Sequence, residues 1–243
     1  MQISVGQAFR RVHEESCTST QDLALQFVRE AELVGLVSTF HQTRGRGRGD
    51  RNWLTPPGEA LTFSAIQWDY ANFSAMPLLG MAWAIAVANV CDAQLQWPND
   101  VLIDGKKIAG ILTEVIQDPG GRRIAVVGIG INLLQTEFPS EIAHRATSLV
   151  LSGRTRIAPE DLLKQILDEV SRMPEPEHWG VLAPLWMARD TTPGKRLSVP
   201  NVGDVIAKGI DENGNLIANR AEGSISDETL VTSIGEVVYD HSK

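Results

Sequence analysis

The sequence predicts an α+β protein in which strands and helices alternate through a large N-terminal part and short strands alone make up the C-terminal end. Two observations carry this. Apolar runs of strand length lie at 36–40, 61–66, within 95–116 and at 123–133, while helical spacing marks 23–31, 74–91 and 159–173. From about Thr192 only short β-type runs remain, separated by turn signals such as Glu212-Asn213-Gly214.

The totals set the outer limits. At 243 residues and 43% apolar content the chain can bury a substantial core, with room for one large domain or one large and one small. The change of character near Thr192 places the expected division at 1–190 and 191–243. A formal net charge of −8 argues against a protein whose main business is gripping nucleic acid, because a phosphate-backbone binder needs a broad cationic face. Cys17 and Cys91 have neither zinc-ligand spacing nor the makings of a disulfide framework, so a reducing compartment is the default. Met1 to Glu15 carries no apolar signal core, and the longest apolar stretch, Ala75 to Cys91, contains Pro77 and is short for a membrane span. These features point to a cytoplasmic protein with no nucleic-acid and no membrane partner.

In chain order, Ser16 to Asp22 is a hydroxyl-rich entrance to a helix over 23–31 that closes near Gly35. Plain N-capping by Ser19 or Thr20 explains those hydroxyls, and a small polar ligand could use them as well. Leu36 to Phe40 and Leu61 to Ile66 read as two strands, and Ser74 to Cys91 as a buried helix in which Met76, Met81 and Trp83 are core packing. Two β-type runs then flank Asp104-Gly105, a strong hairpin signal. Pro98 cannot donate to a ladder, so Trp97 to Asp100 must be a strand end or bend where Asn99 and Asp100 can face a cleft. Lys107 opens the second run; it is either a solvated turn lysine or an ammonium projecting over the sheet. The strand over 123–133 contains Gly128 and Gly130, which weaken a strand and imply that something packs against its backbone, with Asn132 at its end. Pro159 to Met173 is helical, Pro174-Glu175-Pro176 breaks it, and His178 to Leu185 can form a further helical turn or two. Runs at 196–199, 205–210, 216–219 and 236–239 describe a small β-barrel.

The stretch Gln42 to Trp53 fits none of these elements. Four arginines alternate with three glycines and end on a tryptophan. Such a loop can bring backbone N–H groups and guanidinium forks to a compact anion beside an aromatic face. A flexible basic linker and an RNA-binding arginine–glycine segment share the composition. The flanking strands pin both ends, which favours a site.

Together these motifs resemble the biotin–protein ligases. The loop Gln42 to Trp53 is similar to that family's Gly-Arg-Gly-Arg loop, Trp97-Pro98-Asn99-Asp100 with Lys107-Ile108-Ala109-Gly110-Ile111-Leu112 to its central motif, and Gly128-Ile129-Gly130-Ile131-Asn132 to its third. The chain departs from the pattern at Gln96, where a lysine is usual, at Gly49-Asp50 and at Gln21. The resemblance implies a mixed sheet flanked by helices, of the class II synthetase-like biotin/lipoate ligase type, with a C-terminal SH3-like β-barrel. The resemblance is to the short form without the winged-helix DNA-binding region that some members carry first, so no repressor function is expected.

The activity implied is ATP-dependent formation of biotinyl-5′-adenylate, followed by transfer of biotin to a lysine of a biotin carboxyl carrier domain, with ATP and Mg²⁺ required and a homodimer admissible. The resemblance assigns catalysis to Lys107, Arg46, Arg48 and Asp100, the last as a candidate base for the acceptor lysine. It assigns biotin to Ser19, Thr20, Gln21, Gln42, Gly45, Arg46, Gly47, Arg48, Lys107, Gly110, Gly128 and Gly130. ATP falls to Arg46, Arg48, Arg51, Trp53, Asn99, Lys107 and Asn132, and metal ligands are unknown. A lipoate-type ligase, which shares the acyl-adenylate logic, an RNA-gripping module and an inactive carrier-binding scaffold are the competing readings.

Overall fold

The computed structural model describes residues 9–49, 51–73, 76–199, 202–221, 229–232 and 238–239. The N-terminal part opens with strand β1 (Arg10–Glu14), helix α1 (Thr20–Arg29) and strand β2 (Val34–Thr39), a strand–helix–strand unit whose two strands pair in parallel. β1 falls in the polar stretch where the sequence signals no strand; it is an edge strand whose residues are mostly exposed, so it has no apolar run. The arginine loop contains a two-residue ladder, β3 (Gly45–Arg46) against β4 (Asn52–Trp53), so its ends are more ordered than its composition suggests. β5 (Ala60–Gln67) follows, then the buried helix α2 (Met76–Cys91), β6 (Gln94–Gln96), β7 (Asp100–Ile103), β8 (Lys106–Gln117) and β9 (Arg123–Asn132). Asp104 and Gly105 both adopt positive φ, 50° and 74°, as the tight turn between β7 and β8 requires.

These strands form a seven-stranded sheet in the order β1-β2-β5-β9-β8-β7-β6. All neighbours except β1 and β2 are antiparallel, so the sheet is mixed, as expected. Short helix α3 (Ser140–Ala143), α4 (Pro159–Arg172) and α5 (Trp179–Met187) complete this part, α4 and α5 both packing on α2.

Strand alternation divides the sheet into two unlike faces. One carries Phe63, Ala65, Val127, Ile129, Ile131, Ala109 and Ile111 into a single large core with α2 and α4. The other is apolar only at one end, where Val37, Ile66, Ile124 and Val126 pack under Ala24, Leu25 and Val28 of α1. Continuing along the same face, β5 presents Ser64 and Thr62, β9 presents Gly128 and Gly130, and β8 presents Gly110, which pairs with Gly130. There the face becomes polar and bare of side chains, beside the N-terminus of α1.

The C-terminal strands β10 (Arg196–Val199), β11 (Gly203–Ile210), β12 (Leu216–Arg220), β13 (Thr229–Thr232) and β14 (Val238–Tyr239) form a separate antiparallel sheet in the order β13-β12-β11-β10-β14. β13 went unread in the sequence, and of the run at 236–239 only Val238–Tyr239 falls among the described residues. Leu197, Val205, Ala207, Leu216 and Ala218 join the large core of the N-terminal part, so the small sheet is packed onto it.

Candidate active site

The polar end of the α1 face gathers residues from four elements. The backbone N–H of Thr20 donates to Gln42 Oε1 at 2.8 Å, and Gln42 Nε2 reaches Thr55 Oγ1 at 3.3 Å. Ser64 Oγ lies 3.0 Å from both Thr20 Oγ1 and Gln21 Oε1. Gln42 therefore satisfies one of the free N–H groups of the helix, in the way the sequence assigned to Ser19 or Thr20. Ser19 occupies the N-cap position but its side chain makes no capping bond, and its buried Oγ has no protein partner. Ser64, which the sequence gave no reason to select, completes this cluster; only its register opposite Gly128 singles it out.

The bare sheet beyond is closely approached by protein side chains. A Cβ on Gly128 would sit 2.5 Å from Gln21 Oε1, one on Gly130 would sit 2.5 Å from Trp53 Nε1, and one on Gly110 3.0 Å from Lys107 Nζ. Trp53 thus lies against Gly110 and Gly130, with its buried indole N–H unpartnered. The sequence requires something to pack against these glycines, another element or a ligand, and Gln21, Trp53 and Lys107 are the side chains that approach them.

Cationic groups ring this floor, each with an acidic or amide partner. Arg46 makes a two-pronged bond to Glu114, at 2.7 and 3.0 Å, and a third bond to Asp22 at 2.9 Å. Burial opposes its charge, but Glu114 and Asp22 outweigh this and hold the guanidinium pKa above its ordinary value. Lys107 Nζ lies 2.6 Å from Asp100 Oδ1 and 5.7 Å from the centre of the Trp53 ring. Its backbone is fixed on both sides, its N–H donating to Arg145 and its carbonyl accepting from Thr147. Lys107 therefore projects over the sheet, and the solvated-turn alternative does not describe it.

Arg48 Nη1 approaches Asn99 Oδ1 at 3.3 Å, and Asn99 in turn bonds the backbone of Ile111 through its own amide and carbonyl groups. Arg48 and Asn99, with Pro77, Gly80 and Thr113, line a cavity of about 290 Å³ at the N-terminus of α2. The Gly47 N–H donates to the Arg51 carbonyl, closing the loop on itself, while Arg51 is exposed. Asn132 is buried, its amide donating to the Thr147 carbonyl at 3.0 Å and accepting from Gln135 at 3.1 Å. It holds the segment after β9 against the site through Thr147, whose N–H in turn donates to the Lys107 carbonyl.

Gln96 is buried and accepts a hydrogen bond from Lys195, a residue the sequence did not single out, which enters from the start of the small sheet. A more open hollow of about 560 Å³ lies at the far end of the large sheet, by Trp68, Tyr70 and Phe73. Its arginines stack on its own aromatics, Arg122 over Trp68 and Arg123 over Phe73, and none of the motif residues reaches it. Among the described residues no cluster of three or more histidine, cysteine or acidic side chains forms a metal site, and no helix is long and apolar enough to cross a membrane.

A mixed sheet thus bears a glycine floor, a hydroxyl-and-amide cluster at one end and a cationic loop over it, an arrangement suited to a small polar anion. The family model of the biotin/lipoate A/B protein ligases matches residues 14–132. A biotin–[acetyl-CoA-carboxylase] ligase of Mycobacterium tuberculosis is 31% identical over 98% of this chain and 92% of its own length, and one of Paracoccus denitrificans is 31% identical over 84% and 92%. The chain belongs to this family, among its biotin protein ligases. The bifunctional ligase/repressor BirA of Bacillus subtilis is 33% identical, but the match spans 64% of this chain and only about half, 51%, of that protein. Among solved structures, the biotin protein ligase of Aquifex aeolicus in complex with biotin and ATP superposes with a TM-score of 0.68 at 27% identity, covering 92% of this chain and 98% of that one.

Proposed function

We propose that this chain is an ATP-dependent biotin protein ligase that makes biotinyl-5′-adenylate and transfers biotin to a lysine of a biotin carboxyl carrier domain. The observation that carries the reading is one continuous surface in which Ser19, Thr20, Gln21 and Gln42 meet the floor of Gly110, Gly128 and Gly130, with Arg46, Arg48 and Lys107 around it. Two buried polar atoms on that surface, Ser19 Oγ and Trp53 Nε1, lack a protein partner and suit a ligand that carries both donors and acceptors.

The polar ring of biotin then belongs at the α1 end, where a different acid would leave buried groups unpaired. Its carboxylate points toward Lys107. In the first step a biotin carboxylate oxygen attacks the α-phosphorus of ATP, entering as its Mg²⁺ complex, and the bond to pyrophosphate breaks. Both reactants are anions, so fixed cations are the main requirement, and Lys107, Arg46 and Arg48 supply them. In the second step the neutral amine of the acceptor lysine attacks the acyl carbon and AMP leaves with the bonding pair. Asp100, whose carboxylate lies 2.6 Å from Lys107, takes the proton the amine loses in this reading. Trp53, Arg51 and Asn132 serve the nucleotide, Asn132 standing on the same face of β9 as Gly128 and Gly130. Residues 1–190 act as the catalytic domain and 191–243 as a small β domain.

Biotin-dependent exchange of radiolabelled pyrophosphate into ATP tests the reading. Exchange with biotin, and none with lipoate or octanoate, is the expected result. Exchange with lipoate alone would replace biotin as the substrate, and no exchange with any acid would overturn the ligase assignment.

A further inference from the structure

The C-terminal sheet grips the catalytic motif at several points. Asp190 makes a single parallel bridge to Leu95 of β6: Leu95 donates its N–H to the Arg189 carbonyl and its carbonyl accepts from the Thr191 N–H, both at 2.8 Å. The Trp97 N–H donates to Thr192 Oγ1 at 2.8 Å, and the Trp97 indole N–H donates to the Gly214 carbonyl at 2.9 Å. Trp97 itself is fully buried, so the turn from Trp97 to Asp100 is clamped between the large sheet and the small one.

Lys195 closes the turn that follows this bridge, its N–H donating to the Thr192 carbonyl at 3.1 Å. Its ammonium donates to the side-chain carbonyl of buried Gln96, which pairs directly with Asp100 across the β6–β7 hairpin. The charged groups around the Lys195 ammonium are Asp190 on its own segment and Asp100 on β7. Asp190 is already engaged, accepting from the Thr192 N–H at 2.8 Å. Asp100 holds Lys107 from β8 on its other side. The half-buried Lys195 ammonium is disfavoured by desolvation, which lowers its pKa, while Asp190 and Asp100 support its charge. Gln96 is neutral, so the positive charge behind Asp100 belongs to Lys195.

We propose that Lys195 is a positioning residue for the ligase reaction: anchored on Gln96, its ammonium fixes the Asp100 carboxylate and through it the Lys107 ammonium, making the small sheet part of the catalytic geometry. The role rests on the ligase function proposed above. Lys195 lies at the β6 edge of the sheet, away from the Thr20–Gln42 cluster, so it acts on the rate of the chemical step and leaves biotin binding alone. A displaced reacting cation lowers turnover by about tenfold to a hundredfold.

The test is steady-state exchange kinetics on the full chain, comparing the unaltered protein with Lys195→Met, Lys195→Arg and Gln96→Leu/Lys195→Met. Lys195→Met should keep the biotin KM within about twofold and lose about tenfold or more in kcat, as expected for a displaced group that acts in the chemical step. Lys195→Arg, which keeps the charge, should recover most of that loss. The double variant should be no slower than Lys195→Met, because both changes break one link. An unchanged kcat in Lys195→Met, an arginine variant as slow as the methionine one, or a loss that appears equally in KM and melting temperature would overturn the positioning role. Absence of biotin-dependent exchange in the unaltered chain would overturn the function and this role with it.

Discussion

Lys107→Ala separates chemistry from folding, and the structure sets both magnitudes. The Lys107 side chain is 34% exposed and its ion pair with Asp100 is open to solvent on one side, so its loss costs about 1 kcal/mol of stability at most. Its aliphatic stem rests near Gly110 and Trp53 and fills no core position, which keeps cavity costs small. Its ammonium, in contrast, is the cation nearest the glycine floor, over which the charge of the adenylating centre would develop. Loss of one preorganised charge-stabilising group costs about 3–4 kcal/mol of barrier, or about two to three orders of magnitude in rate. Pyrophosphate exchange at saturating biotin and ATP measures the second number, and thermal unfolding the first. A melting temperature within a few degrees of the unaltered chain, with exchange reduced more than about a hundredfold, is the expected pair of results. Wild-type exchange would return Lys107 to a surface role, and a collapse in melting temperature would show that it holds the fold.

Other changes test the rest of the site. Arg48→Gly removes the contact to Asn99 and one of the three cations of the first step, so adenylate should still form, more slowly, while the intermediate escapes about one to two orders of magnitude faster, read out as biotinylation of bystander proteins in place of the carrier; a variant that makes no adenylate would make Arg48 indispensable to the chemical step. Glu114→Gln weakens the two-pronged bond that anchors Arg46 to the sheet and should speed trypsin cleavage at Arg48 and Arg51, with biotin and ATP restoring protection; unchanged cleavage would mean that Glu114 does not hold the loop. Gly128→Ala would place a methyl group 2.5 Å from Gln21 Oε1 and should raise the biotin KM with little change in kcat, whereas unchanged binding would remove Gln21 from the substrate pocket. Burial pushes the Cys91 thiol up to about 12 and the Cys17 thiol up to about 11, so both stay protonated in the folded chain at pH 8. Because both folded pKa values are raised above 9.0, the stability they contribute is complete below pH 9 and is lost as pH climbs toward 12; prompt thiol labelling of the folded chain at pH 8 would contradict this.

Much of the site could be read from the chain because its chemistry is encoded locally. The arginine–glycine loop, the Asp104-Gly105 hairpin that presents Lys107 and the two glycines of β9 each announce a backbone need that ordinary elements do not have. Ser64 was illegible for the opposite reason. A serine inside an apolar strand carries no signal until antiparallel register sets it opposite Gly128 and beneath Thr20. The N-cap was misassigned because Ser19 has the right type and position, while Gln42, distant in sequence, provides the bond.

The sequence by itself determined most of the strands and helices, β1 and β13 excepted, since apolar periodicity and turn residues act over a few positions, and it marked a cationic loop and strand glycines that need something packed against them. Only the tertiary structure decided which groups share a charge. Arg46 could have met any carboxylate, and packing of α1 across the sheet brought it Asp22 and Glu114. Gln96 leaves a neutral side chain beside Asp100, and the bridge of Asp190 to β6 with the turn after it delivers Lys195 to it from almost a hundred positions away. Electrostatic partners are set by distance in space, and that distance exists only once both sheets close around a common core.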